Sequence, residues 1–452
     1  MLRRLGDFFT RIMERYLPDA YLFAVLLTFL AFALALIFTG KGPLDIVDAW
    51  WGGFWSLLAF SMQMVMVLVT GHCLALAPAV KRLLASIAGL AKTPFQAVVI
   101  VTLVSGICSW LQWGFGLIVG GLLALEMVKK VEKVDYPLLI AGAYGGFVIW
   151  HMGFSGSIPL TVASAGNPAN HLEELCKMVV PVSQTVFAPW NLIPAWIIIL
   201  TLPFVLAMAM PSPDKVKVLD PERLARAQKE EEEEERRRKE FVPRTWAEKV
   251  ENSVIVNYVF CLLGVVFFVR YFAAKGFNLD LNIVNGLFLF AGLLLHKTPI
   301  NYVRAVEKAI KGAGGIALQF PVYGGIQGIM MGTGLAAVIA NWFVAIATKG
   351  TFYMLQFWAA GIINMFIPSG GGQWAAQGAI SVMAAQKMGV DPVKTAMAVA
   401  WGDQWTNMIQ PFWALPLLGL AGLKARDIMG YTTLVLIWTG IILSVAALIA
   451  AM

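Results

Sequence analysis

The sequence predicts an all-α, polytopic membrane fold of about nine spans plus two re-entrant hairpins, arranged as two inverted-topology repeats. Three observations lead there. Of 452 residues, 59% are hydrophobic and 13% charged, with a mean hydropathy of +0.73, which is more apolar surface than one soluble core can bury. Apolar runs of roughly 18 residues or more, each enough to cross a hydrocarbon layer about 30 Å thick, recur along the whole length. Finally, two membrane-length stretches are interrupted at their middles, by SWLQWGFG at 109–116 and by PSGGGQW at 368–374.

Taken in order, residues 1–19 are basic and amphipathic. They are expected to lie in the cytoplasmic interface and lead into the first span rather than be cleaved. The first membrane repeat, 20–210, holds spans near 20–40, 50–76, 136–164 and 189–210, with a hairpin near 94–128. Residues 211–251 form the only strongly polar block, where QKEEEEEE is followed directly by RRRKE, a solvated cytoplasmic linker. The second repeat, 252–452, holds spans near 252–272, 282–297, 314–347, 392–420 and 429–450, with a hairpin near 351–386. Cys73, Cys108, Cys176 and Cys261 lack metal-ligand and CxxC spacing. The net charge of +7 arises from Lys and Arg at span ends and does not point to nucleic acid. No GxxxxGK[ST] phosphate loop is present, so neither an ATPase nor a cofactor is expected.

The halves match each other in three places. AFSMQMVMVLVTGHCLA from Ala59 parallels QFPVYGGIQGIMMGTGLA from Gln319, and the hairpin beginning at Lys92 parallels that beginning at Lys349. The third match pairs VDYPLLIAGAYGGFVIWHMGFSGSIPL from Val134 with VDPVKTAMAVAWGDQWTNMIQPFWALPL from Val390. Three matches in one order imply duplication. Treating both interrupted stretches as hairpins, with a cytoplasmic N-terminus and an external C-terminus, puts 27 Lys and Arg inside and seven outside, or 16 and seven without the linker. The first hairpin then enters from the cytoplasm and the second from outside, so the repeats are inverted.

Irregular backbone survives in hydrocarbon only where protein or a water-filled cavity covers it, and matched breaks point to a shared midplane site. At the second tip, Ser369, Gly370, Gly371, Gly372 and Gln373 offer donors at a half-helix end, a place for an anion; a Gly-rich packing turn is the other reading. The first tip carries Ser109, Gln112 and Trp113, with packing aromatics as the competing account. The following spans hold His151, Ser155, Ser157 and Thr161 before or beside Pro159, and Asp403, Gln404, Thr406 and Asn407 before Pro411. Asp403 stands near mid-span, where an ionisable group is costly. It is read as a proton acceptor or, with Thr406 and Asn407, part of a Na⁺ site; a helix-capping role is the alternative. His151 is a proton relay or a core histidine, and His72 is structural. Trp110, Trp113, Trp374, Trp401 and Trp405 flank the breaks as an apolar wall.

The run IPSGGGQWAAQGAISVMAAQKMGVDPVKTAMAVAWGDQWTNMIQPFWALPLLGLAGLKARDIMGY, with WHMGFSGSIPL and GNPAN in the first half, resembles the bacterial short-chain fatty acid transporter family, the acetoacetate and butyrate permeases. Through that family the chain is similar to the ion transporter superfamily. The resemblance implies inverted repeats, two re-entrant hairpins, a homodimeric scaffold and elevator-like movement in the inner membrane. Sodium/dicarboxylate relatives carry Ser-Asn-Thr-like tips. Here ICSWLQWG and IPSGGGQW depart from that pattern, leaving Ser109 and Ser369 as positional equivalents.

The expectation that follows is a symporter taking up a short-chain carboxylate with H⁺ or Na⁺, and not an enzyme. A dicarboxylate or amino-acid exchanger of the same architecture and a passive anion channel are alternatives. A remote one is an intramembrane serine hydrolase, because GFSGS at 153–157 fits Gly-x-Ser-Gly and His151 lies four residues before Ser155.

Overall fold

A computed structural model describes residues 20–452 apart from 168, 277–280 and most of 221–239; before residue 20 it describes only positions 4, 8, 9 and 15. The amphipathic segment expected at 1–19 and the charged centre of the linker therefore lie largely outside the described residues. Every regular element among those described is helical.

The first half opens with α1 (Ala20–Phe38), α2 (Pro43–Phe54), α3 (Leu58–Leu76) and α4 (Pro78–Ala88), followed by α5 (Pro94–Leu111) and α6 (Trp113–Val128). Next, α7 (Tyr136–Gly146) runs into a 3-10 turn, Phe147–Met152, ahead of the short α8 (Ser157–Val162) and α9 (His171–Cys176); α10 (Pro189–Met208) completes the half. The second half comprises α11 (Trp246–Glu251), α12 (Val254–Lys275), α13 (Leu281–His296), α14 (Pro299–Ala309), α15 (Gly314–Gly332) and α16 (Leu335–Ala345). Then come α17 (Phe352–Asn364), α18 (Gly370–Met388) and α19 (Pro392–Thr406), a 3-10 turn at Phe412–Ala414, α20 (Leu415–Ala421) and α21 (Ala425–Ile449).

Proline and short polar side chains set the starts. Pro43, Pro78, Pro94, Pro189, Pro299 and Pro392 each open a helix, where a missing N–H leaves nothing unsatisfied. Asp135 caps α7 by accepting from Leu138 N–H, and Asp391 caps α19 by accepting from Val393 N–H. The Val-Asp pairs at 134–135 and 390–391 thus do the same work in each half. Asp135 also accepts from Lys217 N–H at 2.9 Å, which pins the start of the linker to α7.

Among the described residues, six helices are long and apolar enough to cross a bilayer, or up to eight if each of two bent pairs is one span; the pairs turn by 73° and 65°. Nine were expected, and the differences have local causes. The span expected at 50–76 is interrupted at 55–57 between α2 and α3. α13 has 16 residues, short of a full crossing. The stretch 392–420 is broken between α19 and α20.

Two groups of helices emerge. In one, α1 to α3 pack with α13 to α15. α2 meets α15 backbone to backbone: a Cβ on Gly53 would lie 2.4 Å from Gly324 O, the close approach that small residues permit in membranes. α3 is tied to α13 by Gln63 Nε2 donating to Asn282 Oδ1 at 2.9 Å. α12 buries only Asn257, Cys261 and Gly264, one narrow stripe; its other apolar residues suit lipid.

The second group holds the hairpins, the broken helices, α10 and α21. In each half the first hairpin limb touches the next helix through glycines. A Cβ on Gly146 would lie 2.5 Å from Gly106 N, and one on Gly402 would lie 2.8 Å from Gly361 N. Both hairpins fold back antiparallel. Gly116 faces Ser109 and Gly120 faces Ser105 in the first. In the second, Gln373 Nε2 donates to Ala360 O at 2.7 Å and Ser381 Oγ to Gln356 Oε1 at 2.8 Å. The first limb of the first hairpin, α5, has 18 residues and is itself of span length.

Candidate functional site

The polar centre of the second group forms where α7 loses its α-helical pitch and α19 ends. His151, in the 3-10 turn, and Asp403, on α19, are both completely buried, with Nδ1 3.2 Å from Oδ1. Ile158 N–H donates to His151 Nε2 at 3.0 Å. An imidazole nitrogen that accepts carries no proton, so Nδ1 holds the ring hydrogen and donates to the carboxylate. His151 N–H donates to Gln404 Oε1 at 2.9 Å. The Trp150 ring lies against the imidazole, 4.0 Å away and tilted by 12°, while its Nε1 donates to Asn407 Oδ1 at 3.0 Å. Tyr144 OH donates to Asn407 O at 2.7 Å. Apart from the bond between Ile158 and His151, these hydrogen bonds join the first half to the second.

The second hairpin tip closes over this centre. Ser369 caps α18, its Oγ accepting from Gly372 N–H at 3.3 Å. A Cβ on Gly370 would lie 2.4 Å from His151 Cε1, whereas one on Gly371 would meet nothing within 4 Å. The glycine at 370 is thus what lets backbone rest on the imidazole. Gly372 faces Gln327 of α15, whose Oε1 would stand 3.1 Å from an added Cβ.

At the end of α19, Asp403, Gln404 and the C-cap residue Asn407 carry buried polar atoms that lack a hydrogen-bond partner: Asp403 Oδ2, Gln404 Nε2 and Asn407 Nδ2. Most buried polar groups are paired. The end of α19 thus carries one acceptor and two amide donors that the fold leaves unpaired.

The expected site residues divide accordingly. His151, Asp403, Asn407 and Gly370 come together, with Ser369, Gly371 and Gly372 at the adjoining tip. Gln373 instead braces its own hairpin. Thr406 Oγ1 donates to Gly361 O at 2.7 Å and accepts from Asn364 Nδ2 at 2.9 Å. Asn407 Oδ1 is likewise engaged, by Trp150 Nε1. At the first tip, Gln112 caps α6 through Phe115 N–H, and Ser109 Oγ points into its own hairpin beside Gly116. Ser155 Oγ accepts from Trp113 N–H at 3.0 Å. Both ring nitrogens of His151 are engaged elsewhere, so no Ser155–His151 hydrogen bond forms. Ser157, half-buried, opens α8.

Of the five expected wall tryptophans, Trp113 joins an aromatic cluster with Trp413 at 4.9 Å and Trp150 at 6.2 Å. The others are held apart from the centre. Trp374 donates to Ala169 O, Trp401 to Asn191 Oδ1 and Trp405 to Leu436 O, while Trp110 packs on Phe154. Trp150, Tyr144, Trp413 and Gln327 were missed. For Trp150 the signal was its place beside His151 in WHMGFSGSIPL; nothing local marked the others.

A helical membrane protein with its polar centre between two broken helices and a glycine-rich hairpin tip has the organisation of a transporter rather than of a soluble catalyst. The chain belongs to the Short chain fatty acid transporter family, whose model matches residues 1–450. A protein of Escherichia coli strain K12, named provisionally as a short-chain fatty acid transporter, is 44% identical over 442 residues, covering 98% of each chain. A Haemophilus influenzae protein of the same provisional name is 42% identical over 442 residues, covering 97% of this chain and 98% of its own. Among solved structures, the Alcanivorax borkumensis YdaH transporter is similar at 14% identity and a TM-score of 0.46, over 95% of this chain and 98% of that one. Neisseria gonorrhoeae MtrF, titled as illuminating a class of antimetabolite efflux pumps, gives 14% and 0.41, over 97% of each. Those two likenesses are too distant to bear on the site.

Proposed function

We propose that the protein is a symporter, taking up a short-chain fatty acid or similar small monocarboxylate, such as butyrate or acetoacetate, together with H⁺ or Na⁺ across the bacterial inner membrane. The observation that carries this reading is the turn of α19 beside His151, where Asp403 Oδ2, Gln404 Nε2 and Asn407 Nδ2 lack partners. Two amide donors suit a carboxylate. No Lys or Arg is found among the buried described residues, which favours one negative charge over two or three.

An ionised Asp403 repels that carboxylate, so a cation must load first, and the two fluxes are coupled. Oδ2 is where the cation acts. With the neighbouring oxygens of Thr406 and Asn407 already engaged, H⁺ fits the arrangement better than Na⁺. Trp150, Trp113 and Trp413 supply apolar surface for a short alkyl chain. Access alternates as the hairpins and broken helices move against the group formed by α1 to α3 and α13 to α15, an elevator within a homodimeric scaffold.

Uptake of labelled butyrate and acetoacetate into proteoliposomes, under separately imposed H⁺ and Na⁺ gradients, tests the proposal. Uphill accumulation driven by the pH gradient is expected; accumulation that never exceeds equilibrium overturns symport in favour of a channel. The inverted arrangement has its own test. Cysteines replacing Lys92 and Lys349 should react with impermeant reagent from opposite faces, and reaction from one face refutes it.

A further inference from the structure

A cavity of about 620 Å³ opens where the N-termini of α4 and α14 converge with the start of α12 and the end of the linker. None of the residues of the His151–Asp403 centre lines it. Its wall carries Arg82, Lys297 and Arg304 and no carboxylate. The side chains of Lys297 and Arg304 have no hydrogen-bond or ion-pair partner among the described residues. Arg82 makes only a contact to Pro78 O, at 3.3 Å. Three cations gathered without a counter-charge repel one another unless an anion joins them. The 11-residue helices α4 and α14 add the partial positive charge of their first turns.

The cavity has an apolar side as well. Val254 and Tyr258 of α12 line it, and the same helix continues away with Ile255, Val259 and Leu262 exposed by 76%, 60% and 58%. Phosphate chemistry at one end and hydrocarbon along the other is the division found in a phospholipid. A soluble anion has no use for the apolar side. Neither has an acidic segment such as the glutamate run at 230–235 of the linker. On the topology expected from the sequence, the linker-bearing face also carries most of the Lys and Arg, the leaflet side on which basic groups meet anionic lipid.

We infer that this cavity binds the headgroup of an anionic phospholipid, the phosphate held by Arg82, Lys297 and Arg304 and the acyl chains lying along α12. The lipid would wedge between α12 and the α4–α14 ends and fix the linker-side rim of the first helix group. The transported acid is not involved, so the site stands or falls independently of the symport reading.

The full chain, purified and stripped of lipid, is titrated with phosphatidylglycerol, with phosphatidylcholine and with inorganic phosphate, following bound lipid by native mass spectrometry and the melting temperature. Phosphatidylglycerol is expected to bind preferentially and raise the melting temperature. Each charge neutralised among Arg82→Gln, Lys297→Gln and Arg304→Gln is expected to weaken that binding by about fivefold, while Arg304→Lys retains most of it. Equal responses to the two lipids overturn the inference, as does a triple variant that keeps the full preference. If inorganic phosphate reproduces the whole shift, the site belongs to a soluble anion. If the preference emerges only after Glu230–Glu235 are changed to Gln, the linker is the occupant.

Discussion

The two hairpin tips occupy matching places and are built in opposite ways. The first turns on a single residue, Gln112, between α5 and α6, and is packed shut: a Cβ on Gly116 would strike Ser109 Oγ at 2.2 Å. The second spends five residues, 365–369, between α17 and α18, and its Gly371 has nothing within 4 Å. The first tip is a sealed structural turn whose Trp113 supports the aromatic cluster. The second has slack, and it rests on His151. If the proposed transport reading holds, ligand access belongs to the second tip, and the likeness of the two stretches in sequence does not extend to how they pack.

The largest effect expected from breaking this contrast lies beneath the second tip. Asp403→Asn removes the charge from a buried, hydrogen-bonded pair, an interaction whose disruption costs about 2–5 kcal/mol, so gradient-driven uptake should fall by on the order of 30-fold or more. Full coupled uptake at normal expression would refute its role. Gly370→Ala comes next: the methyl group meets the imidazole, and overpacking of about 1–3 kcal/mol should cut uptake roughly tenfold. Gly371→Ala, with open space, should stay within about twofold. Similar losses at both positions would mean that the whole tip, not its contact with His151, matters.

At the first tip the expected signature is stability. Gly116→Ala should lower the unfolding free energy by about 1–3 kcal/mol, with uptake per folded molecule preserved. A specific transport defect without a melting shift would place substrate there too. A smaller loss of stability is expected for Ser155→Ala, which removes the acceptor for Trp113 N–H and costs about 1 kcal/mol. Loss of a peptidase signal in that variant would instead revive the hydrolase reading.

Much of the fold was legible because it is written in local chemistry. Apolar length marked α1, α10, α12 and α21 nearly to their ends. The Asp-capped starts of α7 and α19 came from residues whose backbone preferences are strong, and the breaks at Gln112 and Ser369 from the glycines and the proline beside them. The interruption at 55–57 was not readable, since Trp55, Ser56 and Leu57 carry no breaker. The site divides in the same way. His151 and Asp403 stood out because ionisable groups are rare in hydrocarbon. Their pairing, and the involvement of Trp150 and Tyr144 through Asn407, arise from one half packing on the other, and no local pattern encodes that. Long-range contact also decided the tryptophans: Trp374, Trp401 and Trp405 look alike in sequence, yet each is claimed by a different carbonyl or amide.

The ties between halves run well beyond the buried pair, through Trp374 to Ala169, Gln386 to Leu175, Trp401 to Asn191 and Tyr136 to Ala421. Covalent continuity through the charged connector adds little to such an interlock. Two polypeptides severed within 221–239 and produced together in one cell should find each other and rebuild a working molecule, while either fragment alone is left with half a seam and is cleared.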